Sequence, residues 1–496
     1  MNLQHFACTV RRLPLWAAGA AIVLSLVLLP KAAPAAQPEP LQQADAATRS
    51  AQPQDGFKLL SGGTFLMGSP ATERQRGEDE VQHKVRIDPF YVDPHEVAQK
   101  DYEALMGANP SVRKGPDLPV ENVAWLDCIR YCNAKSRQQG LEPAYSIEGE
   151  AVTWKRDAGG YRLLTEAEWE YACRAGTATV FNVGDRVHSD KVNFEADYPY
   201  LIEENYVTER DPSVKTSHYR GRTMEVTGLA PNAFGLHHMH GNVSEWVFDY
   251  YAPYEQGSGA GDGEVLDNPA GPQTGKYRVN RGGSWIDFGK HLRSAYRSAA
   301  NPEVPDQNLG FRIARNAGVR QHAGQSIAAK APEKAVLPSS PKVLVAYFSY
   351  SGNTARAAEY IARRLNADLF PIRMQSPYKG SIYEASQQDL NSNARPALQG
   401  KVEDMGRYDV VLLGYPTWWA TCPMPVLTFL ESQDFAGKLV LPFSSHGGTV
   451  WGDSVSDVAK AIPGAFVGAG FEFHYSGGRS LHDDIDAWLK KSGLLK

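Results

Sequence analysis

A stretch poor in large apolar residues divides this 496-residue chain into two parts with different sequence textures. Residues 317–341 are rich in Ala, Pro and Ser, and such a segment buries too little apolar surface to offset the entropy cost of ordering it. Residues 55–316 carry short strand-like runs and many loop residues, whereas residues 342–496 alternate apolar runs with helix-period segments. The sequence therefore predicts two folded domains, a linker between them, and a second linker at residues 37–54.

The first 36 residues have the pattern of an export signal. Arg11 and Arg12 precede an apolar run at residues 15–29, and residues 33–35 offer the small side chains of a cleavage site. The run is shorter than the roughly 20 residues that span a bilayer, which favours a removed signal over a permanent anchor. We expect a periplasmic or secreted protein that is not integral to a membrane after cleavage. The paired arginines fit both a twin-arginine signal and the basic region of a general secretory signal.

Composition and cysteine usage narrow the classes of partner. The chain has 51 basic and 56 acidic residues, so it lacks the basic excess of a nucleic-acid binder, and we expect no nucleic-acid partner. Four cysteines remain after the signal: Cys128, Cys132, Cys173 and Cys422. No second closely spaced pair accompanies Cys128 and Cys132, which favours buried structural thiols over metal ligands.

The second domain begins with an apolar strand that runs directly into a hydroxyl-rich loop and a helix. The loop consists of Ser349, Tyr350, Ser351, Gly352, Asn353 and Thr354. Hydroxyls, a glycine that lets the backbone approach, and the free amides of a helix N-terminus can converge on a phosphate. Because no lysine follows the glycine, the loop suits a phosphate monoester held by neutral donors, such as the one that ends FMN. A plain strand-to-helix turn is the alternative.

Two later loops can complete a flavin site, since ligands of a doubly wound sheet lie beyond the carboxyl ends of its strands. The candidate residues are Pro416, Thr417, Trp418 and Trp419 in the first loop, and Ser445, His446, Gly447 and Gly448 in the second. Aromatic faces and backbone donors suit the flat, largely apolar isoalloxazine ring. Each tryptophan could instead pack in the core without contacting a flavin, and His446 could instead have a purely structural role.

The motifs FSYSGNT, GYPTWWATCPMPV and PFSSHGG, in this order, resemble those of the flavodoxin-like family, especially its short-chain FMN-oxidoreductase-type members. The resemblance implies an α/β doubly wound, five-stranded parallel sheet of order 2-1-3-4-5. It also implies that Ser349–Thr354 holds the FMN phosphate and that the ring lies between the two later loops. Residues 342–496 hold 15 basic and 15 acidic side chains, so the strong acidic field of a freely diffusing electron shuttle is absent. We expect a nearby redox partner, or NAD(P)H.

The first domain carries the ordered motifs GGTFLMGS, YRLLTEAEWEYACRAG, PNAFGLHHMHGNVSEW, RGGSW and NLGFR. They resemble the sulfatase-modifying factor family, which includes the formylglycine-generating enzyme. The resemblance implies an α+β, C-type-lectin-like fold. In formylglycine generators two cysteines bind copper(I), which requires soft thiolate ligands. The corresponding positions are Asp287 and Leu292, so we expect neither copper nor formylglycine generation.

Other residues of this domain are weaker candidates for chemistry. Asp287, His291 and Ser284 lie where the resemblance places the family's active groove, and they could act as acids or bases or simply satisfy buried hydrogen bonds. Gly241, Val243 and Glu245 fit a calcium site of the family.

The sequence thus predicts an exported FMN-binding oxidoreductase or electron-transfer protein. Its first domain would bind an unidentified peptide or small-molecule substrate, or a protein partner. The alternative is a non-catalytic envelope module that binds peptide or glycan, with the flavodoxin-like domain as a degenerate scaffold.

Overall fold

The computed structural model describes residues 56–200, 218–254, 265–318, 326–330, 334–447, 451–475 and 480–495. The predicted signal at residues 1–36, the linker at residues 37–54, and Gly448 lie outside the described residues. Within the described part of the chain, no helix has both the length and the apolar character needed to cross a bilayer.

The first domain is built from short strands and three helices among its described residues. In chain order these are β1 (Lys58–Leu60), β2 (Gly63–Met67), β3 (His83–Ile87), β4 (Phe90–Val92), α1 (Gln99–Met106), α2 (Trp125–Gln138), β5 (Tyr145–Glu148), β6 (Ala151–Lys155), β7 (Arg162–Leu163), α3 (Glu166–Arg174), β8 (Ser244–Tyr250), β9 (Leu266–Asp267), β10 (Arg278–Arg281), β11 (Ser298–Ala300), β12 (Leu309–Gly310), β13 (Ile313–Asn316) and β14 (Ser326–Ala329). They form small sheets of order β1-β4-β13-β7, β11-β10-β8-β12, β14-β6-β5 and β2-β3-β9. The predicted α+β, loop-rich character is confirmed.

Part of the predicted interdomain linker is ordered as a strand, which corrects the expectation for residues 317–341. Strand β14 pairs antiparallel with β6, with Ser326 opposite Lys155 and Ala329 opposite Val152. The small apolar side chains of this segment fit an edge position, and Ala329 is buried. The average composition of residues 317–341 therefore did not reveal that residues 326–329 extend the sheet formed by β5 and β6.

Helix α3 shows how local sequence fixes an element of this domain. Thr165 Oγ1 accepts from the Glu168 amide at 3.2 Å, and Glu168 Oε2 accepts from the Thr165 amide at 2.9 Å. This reciprocal capping box satisfies backbone donors that would otherwise be unpaired at the helix start. The helix then buries Trp169 and Glu170 against β10, where Arg281 pairs with Glu170.

The second domain alternates strands and helices. In chain order these are β15 (Val343–Tyr347), α4 (Asn353–Leu365), β16 (Asp368–Pro371), α5 (Ile382–Asn391), β17 (Val410–Pro416), α6 (Met424–Glu431), β18 (Leu439–His446), α7 (Ser454–Ala461), β19 (Phe466–Val467), β20 (Phe471–His474) and α8 (Leu481–Lys491). All pairings in its sheet are parallel, in the order β16-β15-β17-β18-β19, and β20 also pairs with β18. The predicted order 2-1-3-4-5 is confirmed.

The fifth strand differs from the prediction because it is split into β19 and β20. A Cβ on Gly468 would meet the Leu441 side chain at 2.6 Å, and one on Gly470 would meet the Trp451 ring at 2.5 Å. These two glycines let the chain cross close to β18 and rejoin it further along. The sheet consequently has a sixth strand segment beside its carboxyl edge, close to the predicted ligand loops.

Alternating side chains of the sheet face two different helical layers. Val345 packs with α4 and α8 residues on one face, whereas Leu344 and Ala346 pack with α6 and α7 residues on the other. This alternation is the physical basis of a doubly wound domain, because a strand buried on both faces needs apolar residues at every position.

The two domains share a packed boundary at β11 and α7. Tyr277 and Ala299 of the first domain belong to the same apolar cluster as Val458 and Ala465 of the second. The Ala299 amide donates to Ser456 Oγ at 2.9 Å, and the Tyr277 hydroxyl donates to the Ala465 carbonyl at 3.1 Å. This docking brings the loop after β10 against the carboxyl edge of the parallel sheet.

Candidate functional site

The hydroxyl-rich loop forms a cradle between β15 and α4. Gly352 has φ 88°, and a Cβ placed on it would meet no atom within 4 Å, so the space beside the loop is open. Thr354 Oγ1 and Ser445 Oγ lie 2.9 Å apart, which links this loop to the end of β18. Among the described residues, Ser349 Oγ is buried without a hydrogen-bond partner. A buried hydroxyl without a partner beside a helix N-terminus is what an absent oxyanion would satisfy.

The aromatic loop has an unusual backbone conformation. Trp419 and Ala420 have φ values of 56° and 55°, in the left-handed region that favours glycine. The loop is closed by a pair of backbone hydrogen bonds between Trp418 and Thr421 at 3.0 and 2.9 Å. Trp419 Nε1 also donates to Ser386 Oγ on α5 at 3.0 Å. Such strain persists only where the surroundings hold it, and it is often found at ligand sites.

The third loop begins at the end of β18, where it is joined to the aromatic loop. The Thr417 amide donates to the Ser445 carbonyl at 3.0 Å, and Thr417 Oγ1 and Ser444 Oγ lie 2.7 Å apart. Burial, and secondarily His474, lowers the pKa of the half-buried His446. A neutral imidazole at this position can serve as either a donor or an acceptor to a bound ring.

The three loops surround one cavity of about 890 Å³. The predicted residues that line it are Tyr350, Ser351, Asn353, Thr354, Pro416, Thr417, Trp418, Trp419, Ser445, His446 and Gly447. Ser349 and Gly352 belong to the same loop but are absent from the lining. The sequence analysis missed Ser381, Ile382, Tyr383, Ser386 and Tyr475, which also line the cavity. Tyr383 lies on α5 and Tyr475 directly follows β20, and neither belongs to a motif that the sequence analysis singled out.

Two further wall residues, Tyr198 and Phe288, come from the first domain. Their rings stack at 4.1 Å between centroids with an interplanar angle of 12°. The Tyr198 ring also contacts Trp419 edge-on at 5.9 Å. Sequence spacing could not have indicated these residues, because they reach the cavity only through domain docking.

A second cavity of about 1100 Å³ lies between the domains and shares Tyr198 and Phe288 as walls. Its charged lining residues are Glu73, Arg76, Glu78, Asp79, Lys290, Arg293, Arg395, Glu431, Asp457 and Lys460. We refer to this second cavity as the interdomain cleft. It adjoins the first cavity and mixes both charge signs, so it can accept a polar ligand close to a bound flavin.

The structure brings Ser284, Asp287 and His291 together but uses them differently. The Ser284 amide and Oγ donate to Asp287 Oδ2 at 2.7 and 2.6 Å, and Asn308 donates to Ser284 Oγ at 3.1 Å. Ser284 is therefore engaged in hydrogen bonds within its own loop. His291 lines the interdomain cleft, with Nδ1 2.8 Å from Asp453 Oδ2.

Burial sets the protonation of these groups. It raises the pKa of the Asp287 carboxyl, and the nearby Asp453 raises it further. Burial also raises the pKa of Asp453 and lowers that of His291. The imidazole is consequently neutral at physiological pH.

The candidate calcium residues have other partners in the structure. Glu245 Oε1 accepts from Arg312 Nη2 at 2.6 Å, while Oε2 accepts from Arg312 Nε at 2.7 Å and from Trp169 Nε1 at 2.8 Å. The Gly241 amide donates to a carbonyl, and the Val243 amide donates to Glu96 Oε1 at 3.3 Å. A calcium site here stays a prediction, and the cation that the structure gives Glu245 is a guanidinium.

The four described cysteines are unpaired and buried, in agreement with the structural role predicted for Cys128 and Cys132. Burial raises the pKa of Cys173 to about 12, and it also raises the pKa of Cys128 and Cys422. These groups are thiols rather than thiolates, which makes them poor nucleophiles and poor metal ligands.

The fold and the two cavities define a class of protein in which a flavodoxin-type domain is docked on a lectin-like α+β domain. The family model described as a sulfatase-modifying factor enzyme 1-like domain matches residues 42–317, and the chain belongs to this family. A flavodoxin family model matches residues 342–492.

Individual relatives match one domain each. The chaperone protein LppX of Paenibacillus barcinonensis is 30% identical over 284 residues, which cover 53% of this chain and 90% of that protein. The formylglycine-generating enzyme of Streptomyces coelicolor is 31% identical over 328 residues, covering 59% of this chain and 96% of that enzyme. A solved structure of a candidate flavoprotein from Bacteroides eggerthii is 37% identical and covers 30% of this chain and 97% of that chain, with a TM-score of 0.28.

Proposed function

We propose that this chain is an exported FMN-binding oxidoreductase or electron-transfer protein whose first domain binds a substrate or partner beside the flavin. When bound, FMN supplies hydride or electron transfer. Residues 1–36 would direct export to the periplasm or beyond, in line with their signal-like sequence.

The observation that carries the proposal is the buried Ser349 hydroxyl without a partner in a cradle that opens on a cavity of flavin size. Ser349, Ser351 and Thr354 would hold the phosphate together with the first amides of α4. The cavity beyond them is lined by Trp418 and Trp419, which suits an apolar ring. The donor chemistry and the shape of the cavity therefore both fit FMN.

The role of the first domain follows from Tyr198 and Phe288, which separate the flavin cavity from the interdomain cleft. A ligand in the cleft would lie next to the flavin and would be shielded from bulk water by both domains. Mixed charges along the cleft suit a peptide or a polar small molecule. Asp287 and Leu292 stand at the positions of the copper-binding cysteines, so the proposal does not include formylglycine generation.

Flavin titration of the full chain tests the proposal. We expect the protein to be yellow and to bind FMN at one equivalent. The double variant Ser351→Ala/Thr354→Ala should weaken FMN binding by at least about 100-fold, because each hydrogen bond to a charged group contributes roughly 1.5–3 kcal/mol. The matched control is Ser392→Ala/Thr428→Ala, which removes two hydroxyls that donate only to helix carbonyls.

Riboflavin, which lacks the phosphate, makes the test specific. It should bind the wild type more weakly than FMN does, and the double variant should prefer FMN over riboflavin by a smaller factor than the wild type does. A colourless protein that takes up no added FMN would refute the proposal. That result would favour the alternative of an envelope module that binds peptide or glycan without redox chemistry.

A further inference from the structure

Three ionisable side chains converge where the loop after β10 meets the turn before α7. Asp287 and His291 belong to the first domain, Asp453 belongs to the second, and their exposures are only 2%, 3% and 8%. One ligand atom from each lies within 4.8 Å of the other two. The cluster therefore spans the domain boundary and lies beneath the interdomain cleft, which His291 lines.

Each member of this cluster presents a polar atom that has no hydrogen-bond partner among the described residues. These atoms are Asp287 Oδ1, His291 Nδ1 and Asp453 Oδ2. His291 Nδ1 and Asp453 Oδ2 are 2.8 Å apart, but their relative direction does not fit a hydrogen bond. Leaving buried carboxylate oxygens without a partner is costly, so a positively charged occupant would stabilise the cluster.

Hydrogen bonds from neighbouring residues hold one oxygen of each carboxylate. Asp287 Oδ2 accepts from the amide and hydroxyl of Ser284, and Asp453 Oδ1 accepts from Ser298 Oγ at 3.4 Å. In each carboxylate one oxygen is thus fixed by a neighbour, and the other has no hydrogen-bond partner among the described residues. Outer hydrogen bonds of this kind are the usual support of metal ligands.

Of the neighbouring cations, Lys460 and Arg293 pair with other groups, whereas Lys290 interacts electrostatically with Asp453 and Asp457. Lys460 Nζ lies 3.4 Å from Asp79 Oδ2 and also donates to the Arg297 carbonyl. Arg293 forms ion pairs with Glu73 and Glu80, both at 2.7 Å.

We infer that Asp287, His291 and Asp453 form a binding site for a divalent first-row transition-metal ion such as Zn²⁺, Mn²⁺ or Fe²⁺. One imidazole nitrogen with two carboxylate oxygens is a donor set for these ions, whereas Mg²⁺ and Ca²⁺ prefer oxygen alone and copper(I) prefers sulfur. Bonds of about 2.0–2.2 Å at right angles place adjacent donor atoms roughly 3 Å apart, close to the 2.8 Å between His291 Nδ1 and Asp453 Oδ2. Three protein ligands would leave at least one further coordination position for water or a small ligand.

Metal titration of the full chain tests the site. After chelator treatment, we expect the wild type to bind one equivalent of Zn²⁺ by calorimetry. Asp287→Asn and Asp453→Asn should each weaken this binding by at least about 100-fold, more than the loss of an outer-shell partner does. Asp457→Asn is the matched control, because Asp457 lies one turn further along α7 and lines the same cleft but is not in the cluster. It should bind Zn²⁺ like the wild type.

Two measurements on the wild type keep the test decisive if a variant fails to fold. X-ray absorption of the Zn²⁺-loaded protein should show nitrogen and oxygen ligands, including one imidazole, and no sulfur. Chelation should lower the melting temperature, because a ligand that binds only the folded state stabilises it by mass action. Absence of stoichiometric uptake by the wild type, sulfur ligation, or unchanged binding by a folded Asp453→Asn variant would overturn the inference. Flavin binding is measured separately, so the two proposals can fail independently.

Discussion

At the scale of single residues, the first domain stabilises its buried charges by pairing them. Arg297 holds Glu166 through two contacts of 2.7 and 2.8 Å, and Arg281 contacts the same glutamate at 3.0 Å. The attraction between the two charges offsets the cost of removing them from water because both partners are buried and in direct contact. For a buried carboxyl group that has no arginine partner, burial favours the protonated form and raises the pKa. Glu472 on β20 is one such group.

Glu472 should make stability depend on pH. Burial raises its pKa from 4.5 to about 8, with a smaller contribution from Asp306 across the domain boundary. The folded state then retains a proton that the unfolded state has lost. The unfolding free energy therefore falls as pH rises from about 4.5 to about 8, by up to about 1.4 kcal/mol per pH unit from this group. Melting temperatures of Glu472→Gln across this range should fall less steeply than those of the wild type.

The exposed Glu403→Gln is the control for the pH prediction, and its melting temperatures should follow those of the wild type. Parallel curves for Glu472→Gln and the wild type would mean that Glu472 is already ionised in the folded protein.

At the scale of elements, the aromatic loop is held in place by the turn that precedes α7. A Cβ on Gly452 would lie 2.5 Å from the Ala420 carbonyl oxygen and 2.7 Å from its Cα. The Asp453 amide donates to the same carbonyl at 2.8 Å. The left-handed conformation of Trp419 and Ala420 thus depends on close backbone contact with a neighbouring turn.

Gly452→Ala should disturb both the loop and the flavin cavity. The new methyl group would push against backbone rather than a movable side chain, and we expect a loss of about 1–3 kcal/mol in stability together with weaker FMN binding. Gly437→Ala is a matched control, since Gly437 also has a positive φ, 74°, but a Cβ there meets nothing within 4 Å. Thermal unfolding and FMN titration of both variants distinguish the clash from the cost of a positive φ. Equal effects of the two substitutions would contradict this account.

At the scale of the whole molecule, the two domains share an apolar cluster, and both domains contribute lining residues to each of the two cavities. Phe288 belongs to the first domain, yet it lines the cavity formed mainly by the second. Its stacking partner Tyr198 reaches Trp419, so aromatic contacts run continuously from one domain to the other. The environment of a bound flavin therefore depends on how the domains dock.

Phe288→Leu should weaken FMN binding even though the residue lies outside the flavodoxin-type domain. Loss of one aromatic contact corresponds to about 0.5–1.5 kcal/mol, or roughly a 2- to 10-fold rise in Kd. Phe234→Leu is the control, because Phe234 packs in a separate apolar cluster of the same domain. An unchanged Kd for Phe288→Leu would show that the first domain does not shape the flavin environment.

Features encoded by neighbouring residues were predictable from the sequence, whereas those made by docking were not. The run from β15 through Ser349 to α4 is local, so its residues indicated the cradle, whereas the order of the sheet was implied by the resemblance to the flavodoxin-like family. Asp453, Tyr198 and Phe288 acquire their positions only when two domains pack, and no periodicity in either domain records that contact. The sequence analysis missed the strand at residues 326–329 because this strand is stabilised by pairing with β6, which is distant in sequence, and not by a local pattern.

The position of β11 has a consequence for any shortened version of this chain. This strand ends its sheet, with β10 on one side and helix α7 on the other. A polypeptide that stopped before residue 342 would expose the edge of β11, with unpaired backbone N–H and C=O groups next to the apolar ring of Tyr277. We expect such a fragment to self-associate more readily than the full chain, because the flavodoxin-type domain covers this border.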